Sequence, residues 1–166
     1  MIRQGEIADA QAIARIHVDM WREAYAGIVP ASHLDNLSVE KRRRKWEDTL
    51  ARSPATTSVV TDETGRVVGW VSFGPNRDED GTGRGEVYGI YLQSACWGRG
   101  LGRALMQAAE TALASQGFST FTLWVFELNR RARKFYERAG YRPDETVKQV
   151  SIGGAALNEI RYAKSI

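Results

Sequence analysis

A single cysteine rules out an intrachain disulfide. With only two histidines beside it, a protein-built zinc site would need carboxylates for most of its ligands. We therefore expect a fold held by neither metal nor disulfide, with no metal in its chemistry. A reducing, cytoplasmic setting follows from the same scarcity. No apolar run approaches the roughly 20 residues that span a bilayer. No apolar segment follows the opening Met1–Glu6, so neither a signal peptide nor a membrane partner is read. The excess of positive charge is also small, at +3, which is short of a dedicated nucleic-acid binder.

What is present fits one folded domain over residues 1–166, since single cores usually run to about 100–200 residues. Hydrophobic residues make up 43% and charged residues 26%, the balance of a globular chain rather than a disordered one. Of 23 basic residues, 18 are Arg. Arg matches planar oxyanions and phosphates better than Lys does. Codon bias explains the same count, so position has to decide.

The apolar pattern sets the element order. Ile2-Arg3-Gln4 reads as a short strand. Asp9 is expected to cap a helix with Ile13, Ile16, Met20 and Ala24 on its inner face, ended by Gly27. Pro30–Leu37 reads as a helical turn. Ser38 caps a further helix with Val39, Trp46 and Leu50 on one side. The period then becomes two. Thr57–Thr61 and Arg66–Gly74 form a hairpin about Asp62–Gly65, and Asn76–Gly85 reads as a mobile polar loop. Glu86–Leu92 is a strand, Gly100–Ser115 a helix and Phe118–Phe126 an apolar strand. Asn129 caps a short helix to Ala139. Lys148–Ile152 and Ala155–Tyr162 flank Gly153-Gly154 as a hairpin. The central strand–helix–strand predicts one parallel pair. The fold class is α/β, a mixed central sheet with helices on both faces.

Chemistry concentrates at Trp97-Gly98-Arg99-Gly100-Leu101-Gly102-Arg103, between a strand and a helix. Alternating glycines let backbone N–H groups turn into one hollow, and the helix adds its positive end. That makes a site for phosphate or pyrophosphate, with Arg99 and Arg103 beside it. A dinucleotide fingerprint would need glycine at 103 or 105, where Arg and Leu stand, and no P-loop pattern is present.

The run Glu86–Leu92 followed by Trp97–Leu105 resembles motif A, Q/R-x-x-G-x-G/A, of the GNAT superfamily of acetyl-CoA-dependent N-acetyltransferases. Gly100 and Gly102 match its glycines, and Trp97 stands where Gln or Arg is usual. Asn129…Ala132…Phe135-Tyr136…Gly140-Tyr141 is similar to the family's motif B, with Tyr141 for the common Phe. The order and spacing of the two motifs agree with the family across nearly the whole chain. His17…Trp21…Tyr25…Gly27…Pro30 with Trp46 resembles a bacterial branch, some members of which are named after phosphinothricin acetyltransferases.

The resemblance implies transfer of an acetyl group from acetyl-CoA to an amine of a small molecule, amino acid or peptide, by direct attack on the thioester. It implies that amides of Trp97, Gly98, Arg99, Gly100, Leu101, Gly102 and Arg103 hold the cofactor's pyrophosphate. The pantetheine arm would pair with Ile90, Tyr91 and Leu92, and Asn129 would contact it. Tyr136 would serve the departing sulfur, and Glu86 would take the amine's proton directly or through water. Glu23, Tyr88 and Tyr91 are reserves for that base. Trp21 and Tyr25 would line the acceptor pocket, where aromatic walls suit an amine. A homodimer is consistent with family habit and with exposed C-terminal strands.

Other residues carry plainer readings. By type alone, Tyr136 is a core tyrosine and Asn129 a helix cap. Cys96 lies far in sequence from His17 and His33, so no base is read beside it for a covalent route. His17 falls on the apolar side of its helix and reads as packed. Lys41–Lys45 circles its helix and makes no stripe for nucleic acid, and the arginines around 130–138 read mostly as a solvated face. The rival function is an acyl-CoA-binding sensor or interaction module without turnover.

Overall fold

The computed structural model describes residues 1–53 and 56–166. Strand β1 (Ile2–Gln4) leads through one 3-10 turn into helix α1 (Ala10–Ala24). Helices α2 (Ala31–Asp35) and α3 (Val39–Arg52) follow. Then come strands β2 (Thr57–Thr61), β3 (Val67–Pro75) and β4 (Gly85–Leu92). Helix α4 (Leu101–Ser115), strand β5 (Thr120–Phe126), helix α5 (Arg130–Arg138) and the hairpin β6 (Arg142–Ile152) and β7 (Ala155–Ser165) complete the chain. The sheet has seven strands in the order β1-β2-β3-β4-β5-β7-β6. The expected parallel pair is β4–β5, and the other pairs are antiparallel.

Two apolar clusters cover the two faces. Ile13, Ala14, Ile16 and Met20 of α1 pack with Trp46 and Leu50 of α3 against Val59 and Trp70. Leu105, Met106, Ala109 and Leu113 of α4 pack with Tyr136 of α5 against Val71, Phe73, Val87, Phe121 and Leu123. Burial on each face follows the three- and four-residue spacing of the helices, which is why the sequence pattern located them.

A step in the register places the site. Ser72 pairs with Gly89 but Phe73 pairs with Val87, so Tyr88 is an extra residue in β4. This bulge turns β4: Val87 lies in the α4 cluster, while Tyr91 packs into the α1 cluster. Pairing with β5 covers only Gly85–Val87 against Phe121–Leu123. Beyond it the two strands diverge and open a wedge.

Three sequence expectations are corrected. Asp9 does not cap α1 with its side chain. Its carboxylate accepts two bonds from Arg3, at 2.7 and 2.8 Å, and one from the Glu6 backbone, because the chain first makes a 3-10 turn. The C-terminal strands run longer than their apolar pattern, since Glu159–Ser165 of β7 pairs with the whole of β5, from Thr120–Ser165 to Phe126–Glu159. The Asn76–Gly85 stretch, read as mobile, is tied to the sheet. Asn76 donates to Thr122, and Trp124 donates to Asp78. Arg161 joins Asp78, Asp80 and Asp144. Four polar contacts outweighed a composition that signals a loose loop.

Candidate functional site

The glycine turn closes the wedge at its open end. Gly98 and Gly100 hold φ of 76° and 79°, the left-handed region that glycine enters without strain. The first bond of α4 runs from the Ala104 N–H to the Gly100 carbonyl, at 3.0 Å. The N–H groups of Leu101, Gly102 and Arg103 therefore have no intrahelical partner. Gly102 sits against α5, where an added Cβ would lie 3.3 Å from the Phe135 ring. Arg99 and Arg103 are exposed beside the turn. Free amides, a helix N-terminus and flanking cations are the features that suit a turn to an anion.

Trp97 holds the turn with its side chain. Its indole N–H donates to the Leu92 carbonyl at 2.8 Å, and the Arg131 guanidinium lies 3.2 Å over its ring. The apolar ring fits where a polar motif residue was expected because it packs partly against both clusters. The Leu92 carbonyl is thereby engaged; β4 from Tyr88 to Leu92, which includes Ile90 and Tyr91, has no β5 partner.

Asn129 caps α5: its side-chain oxygen accepts from the Ala132 N–H at 3.1 Å. Its amide nitrogen makes no hydrogen bond among the described residues. Two turns later the same helix brings Tyr136 into the core beneath the wedge, 9% exposed. The ring packs edge-on to Phe135 at 5.3 Å. The Tyr136 hydroxyl has no hydrogen-bond partner among the described residues. Burial raises its pKa from the ordinary 10.0, and the nearby Tyr91 hydroxyl adds to the rise. The phenol therefore keeps its proton at neutral pH and has a hydrogen to donate.

Glu86 is 1% exposed, before the bulge and under the 76–85 loop. Arg77 closes over it with its backbone N–H and Nε to Oε2, at 3.0 and 3.2 Å, and Nη2 to Oε1 at 2.5 Å. The Arg77 guanidinium also lies 4.1 Å over the Tyr88 ring, whose hydroxyl donates to the Pro75 carbonyl. The sequence reading missed Arg77. Its place in a polar loop hid it, and only the loop's closure onto Glu86 reveals it.

On the α1 side, the hydroxyls of Tyr25 and Tyr91 are bonded at 2.8 Å. Burial, then the Tyr91 hydroxyl, pushes Tyr25 well up from its ordinary value. Trp21 meets Tyr25 edge-on at 4.9 Å, and Phe126 of β5 meets it at 5.0 Å. Trp21 and Tyr25 thus stand together on one wall with Tyr91. Trp46 and Trp70 are buried in the core instead. Tyr91, held in reserve as a base, is raised by burial and fits that role poorly. Glu23 is exposed on α1.

His17 is packed, as its helix face implied. Its ring stacks on Tyr91 at 5.5 Å, and Trp46 donates to its Nδ1 at 3.4 Å. Burial, helped by Arg42, lowers its pKa from 6.5 to about 3. Between those values the unfolded chain binds a proton that the folded chain refuses. His17 therefore costs no stability above pH 6.5 and progressively destabilises the fold as pH falls toward 3. In urea titrations from pH 7 to pH 4, the wild type should lose stability faster than His17→Gln. Parallel curves would contradict this. Cys96, in the 3-10 turn Ser94–Cys96, makes no hydrogen bond to a base among the described residues.

Two surface concavities lie outside the wedge, of about 530 Å³ beside Gly27–Ala31 and about 230 Å³ beside Phe126 and Leu157. Among the described residues no group of three or more His, Cys, Asp or Glu is arranged to hold a metal, and no helix is long and apolar enough to cross a membrane.

Comparison with known proteins points the same way. Residues 13–141 match the family model described as acetyltransferase (GNAT) family. The chain is 36% identical over 160 residues to the N-acetyltransferase YuaI of Bacillus subtilis, covering 96% of this chain and 89% of that one. The structure superposes on PaiA N-acetyltransferase of Thermoplasma acidophilum, solved with coenzyme A, with a TM-score of 0.82 at 19% identity. That match covers 100% of this chain and 98% of the other. A GCN5-related N-acetyltransferase from Kribbella flavida gives a TM-score of 0.74 at 25% identity, with coverage of 100% and 97%.

Proposed function

Since the chain belongs to the acetyltransferase (GNAT) family, whose reaction is acetyl transfer from acetyl-CoA, we propose that it acetylates a primary amine by direct attack on the thioester. The acceptor is a small molecule, an amino acid or a peptide. The observation that carries this reading is the wedge itself. A strand edge without a partner leads to a turn of free amides, and an unpartnered phenol lies beneath.

Acetyl-CoA is the substrate that supplies an activated acyl group, so the protein needs no nucleophile of its own. The amides of Gly98–Arg103 bind the pyrophosphate. Ile90 and Tyr91 offer backbone groups to the pantetheine arm, and one N–H of this stretch faces the thioester oxygen as it gains charge. The amide nitrogen of Asn129 adds a donor. The amine attacks the carbonyl carbon, the carbon–sulfur bond breaks, and Tyr136 donates its proton or a hydrogen bond to the thiolate. Glu86 takes the amine's proton through water, with Arg77 fixing the carboxylate. Tyr25 and Trp21 hold the acceptor.

The test is release of free thiol. With acetyl-CoA and a broad amine panel, thiol should appear in an amine-dependent manner. Clear acetyl-CoA binding without thiol release from any amine would favour the sensor reading instead. Gly100→Ala probes the turn. A non-glycine residue in the left-handed region costs about 1–2 kcal/mol. The turn relieves that strain by leaving its binding geometry. The Kd for acetyl-CoA, read by calorimetry, should rise about tenfold, the equivalent of about 1.4 kcal/mol. An unchanged Kd would remove the turn from the cofactor site.

A further inference from the structure

The basic run Lys41–Lys45 contains one residue unlike its neighbours. Arg43 bonds Glu40 and Glu47, and Arg44 bonds Glu40. Lys41 and Lys45 are exposed. Arg42 instead turns inward and is half-buried, its guanidinium 5.7 Å from the centre of the Trp21 ring. It has no side-chain hydrogen bond and no ion pair among the described residues. Its surroundings weaken it as a cation: burial lowers its pKa, and only the Tyr91 hydroxyl pulls the other way. A desolvated guanidinium with five unmet donors is costly unless something brings it an anion.

A second donor stands beside it. The indole Nε1 of Trp21 is buried without a partner of full hydrogen-bond geometry, and the acceptor it acts on is the Tyr91 hydroxyl. Such groups are few in folded proteins, and each calls for an explanation. Both donors border the wall that carries the Tyr25–Tyr91 hydroxyl pair.

The charge opposite has the other sign. Glu159 of β7 is the register partner of Phe126, whose ring meets Tyr25. Its carboxylate lies 3.5 Å from Lys148, and its charge is felt at both Tyr25 and Tyr91. His17, the remaining titratable group of this wall, is neutral at physiological pH. The tyrosine pair therefore stands between a cationic end with free donors and an anionic end.

We propose that Arg42 and the indole N–H of Trp21 bind the carboxylate of an amino-acid acceptor, with its amino group toward Tyr25, Tyr91 and Glu159. This deepens the acetyltransferase reading and rests on it. The planar guanidinium fork matches the two oxygens of a carboxylate, and the bond is charge-assisted on both sides. Arg42 is thus a residue that selects the acceptor and takes no part in the transfer.

The test compares matched pairs that differ only in the carboxylate: L-phenylalanine with phenethylamine, L-leucine with isoamylamine, and L-lysine with cadaverine. Thiol release by the full chain gives kcat/KM for each. At least one amino acid should exceed its decarboxylated partner by about tenfold or more. Arg42→Gln should abolish that preference, with KM for the amino acid rising more than kcat falls. Arg42→Lys should retain part of it. Trp21→Phe keeps the ring and removes the N–H, and should raise KM for the amino acid severalfold even if Arg42→Gln folds poorly. Equal use of both members of every pair, or a preference that survives Arg42→Gln, overturns the proposal. No acetylation of any pair, with acetyl-CoA still raising the melting temperature, also overturns it but leaves the family reading standing. Failure of acetyl-CoA to bind overturns the reading beneath it.

Discussion

Tyr136→Phe should lower kcat about a hundredfold, the lower end of what a positioned proton donor contributes, while the Kd for acetyl-CoA changes by less than about threefold. The reason for the split is structural. The ring of Tyr136 carries the packing, against Phe135 at 5.3 Å and against Tyr141 and Tyr162 at 6.4 Å each. Phe preserves that ring. The hydroxyl makes no hydrogen bond among the described residues, so its removal strands no partner and should not lower the melting temperature. Its pKa is raised by burial, so at neutral pH the wild type always carries the proton to be donated. Without the hydroxyl, the thiolate leaves into a site that offers it no donor there. Single-turnover thiol release and acetyl-CoA calorimetry on the same preparation decide the matter. Equal loss of both would make Tyr136 a packing residue alone.

Arg161→Met should cost about 3 kcal/mol of stability, the lower end for removing one partner of a buried ion pair. For a chain of 166 residues that is a fall in melting temperature of about 6–12 °C. Arg161 is 4% exposed and holds three carboxylates at once. Asp144 lies at 2.6 Å, Asp80 at 2.6 and 2.8 Å and Asp78 at 3.2 Å, with Thr146 at 3.0 Å. Met keeps most of the stem's packing but leaves three negative groups facing one another. Arg161 holds the Asp80 carboxyl below its ordinary 3.8. That part of the stability is present above pH 3.8 and lost as pH falls through the depressed value. The gap between wild type and variant should therefore narrow in acid. A constant gap would mean that packing, not charge, dominates at this site. Function should follow stability here, because the same loop carries Arg77 to Glu86.

These two residues differ in how far the sequence revealed them. Tyr136 was legible because it stands in a spaced pattern, Asn129…Phe135-Tyr136…Gly140, on a short helix whose phase is fixed by its cap. The glycine turn was legible for a similar reason, since alternate glycines at a helix start have few uses besides backbone access. Arg161 and Arg77 were not. Arg161 meets carboxylates up to 83 positions away, and Arg77 meets Glu86 across a loop of nine positions; no local pattern announces either pair. The polar 76–85 stretch looked loose because composition reports what a segment contains and not what it touches. Arg42 was hidden within a run of five basic residues, where only the helix phase against α1 singles out the one that turns inward.

The sequence by itself determined the element order, the glycine turn and the place of Tyr136 on its helix, because helical and strand periods and glycine spacing are local properties of the chain. The tertiary structure alone decided the wedge. That opening depends on Tyr88 bulging out of register with β3 and on β4 parting from β5 after Val87, and both are relations between strands. It also decided charge pairing, because ion pairs form across distances in space that sequence order does not encode.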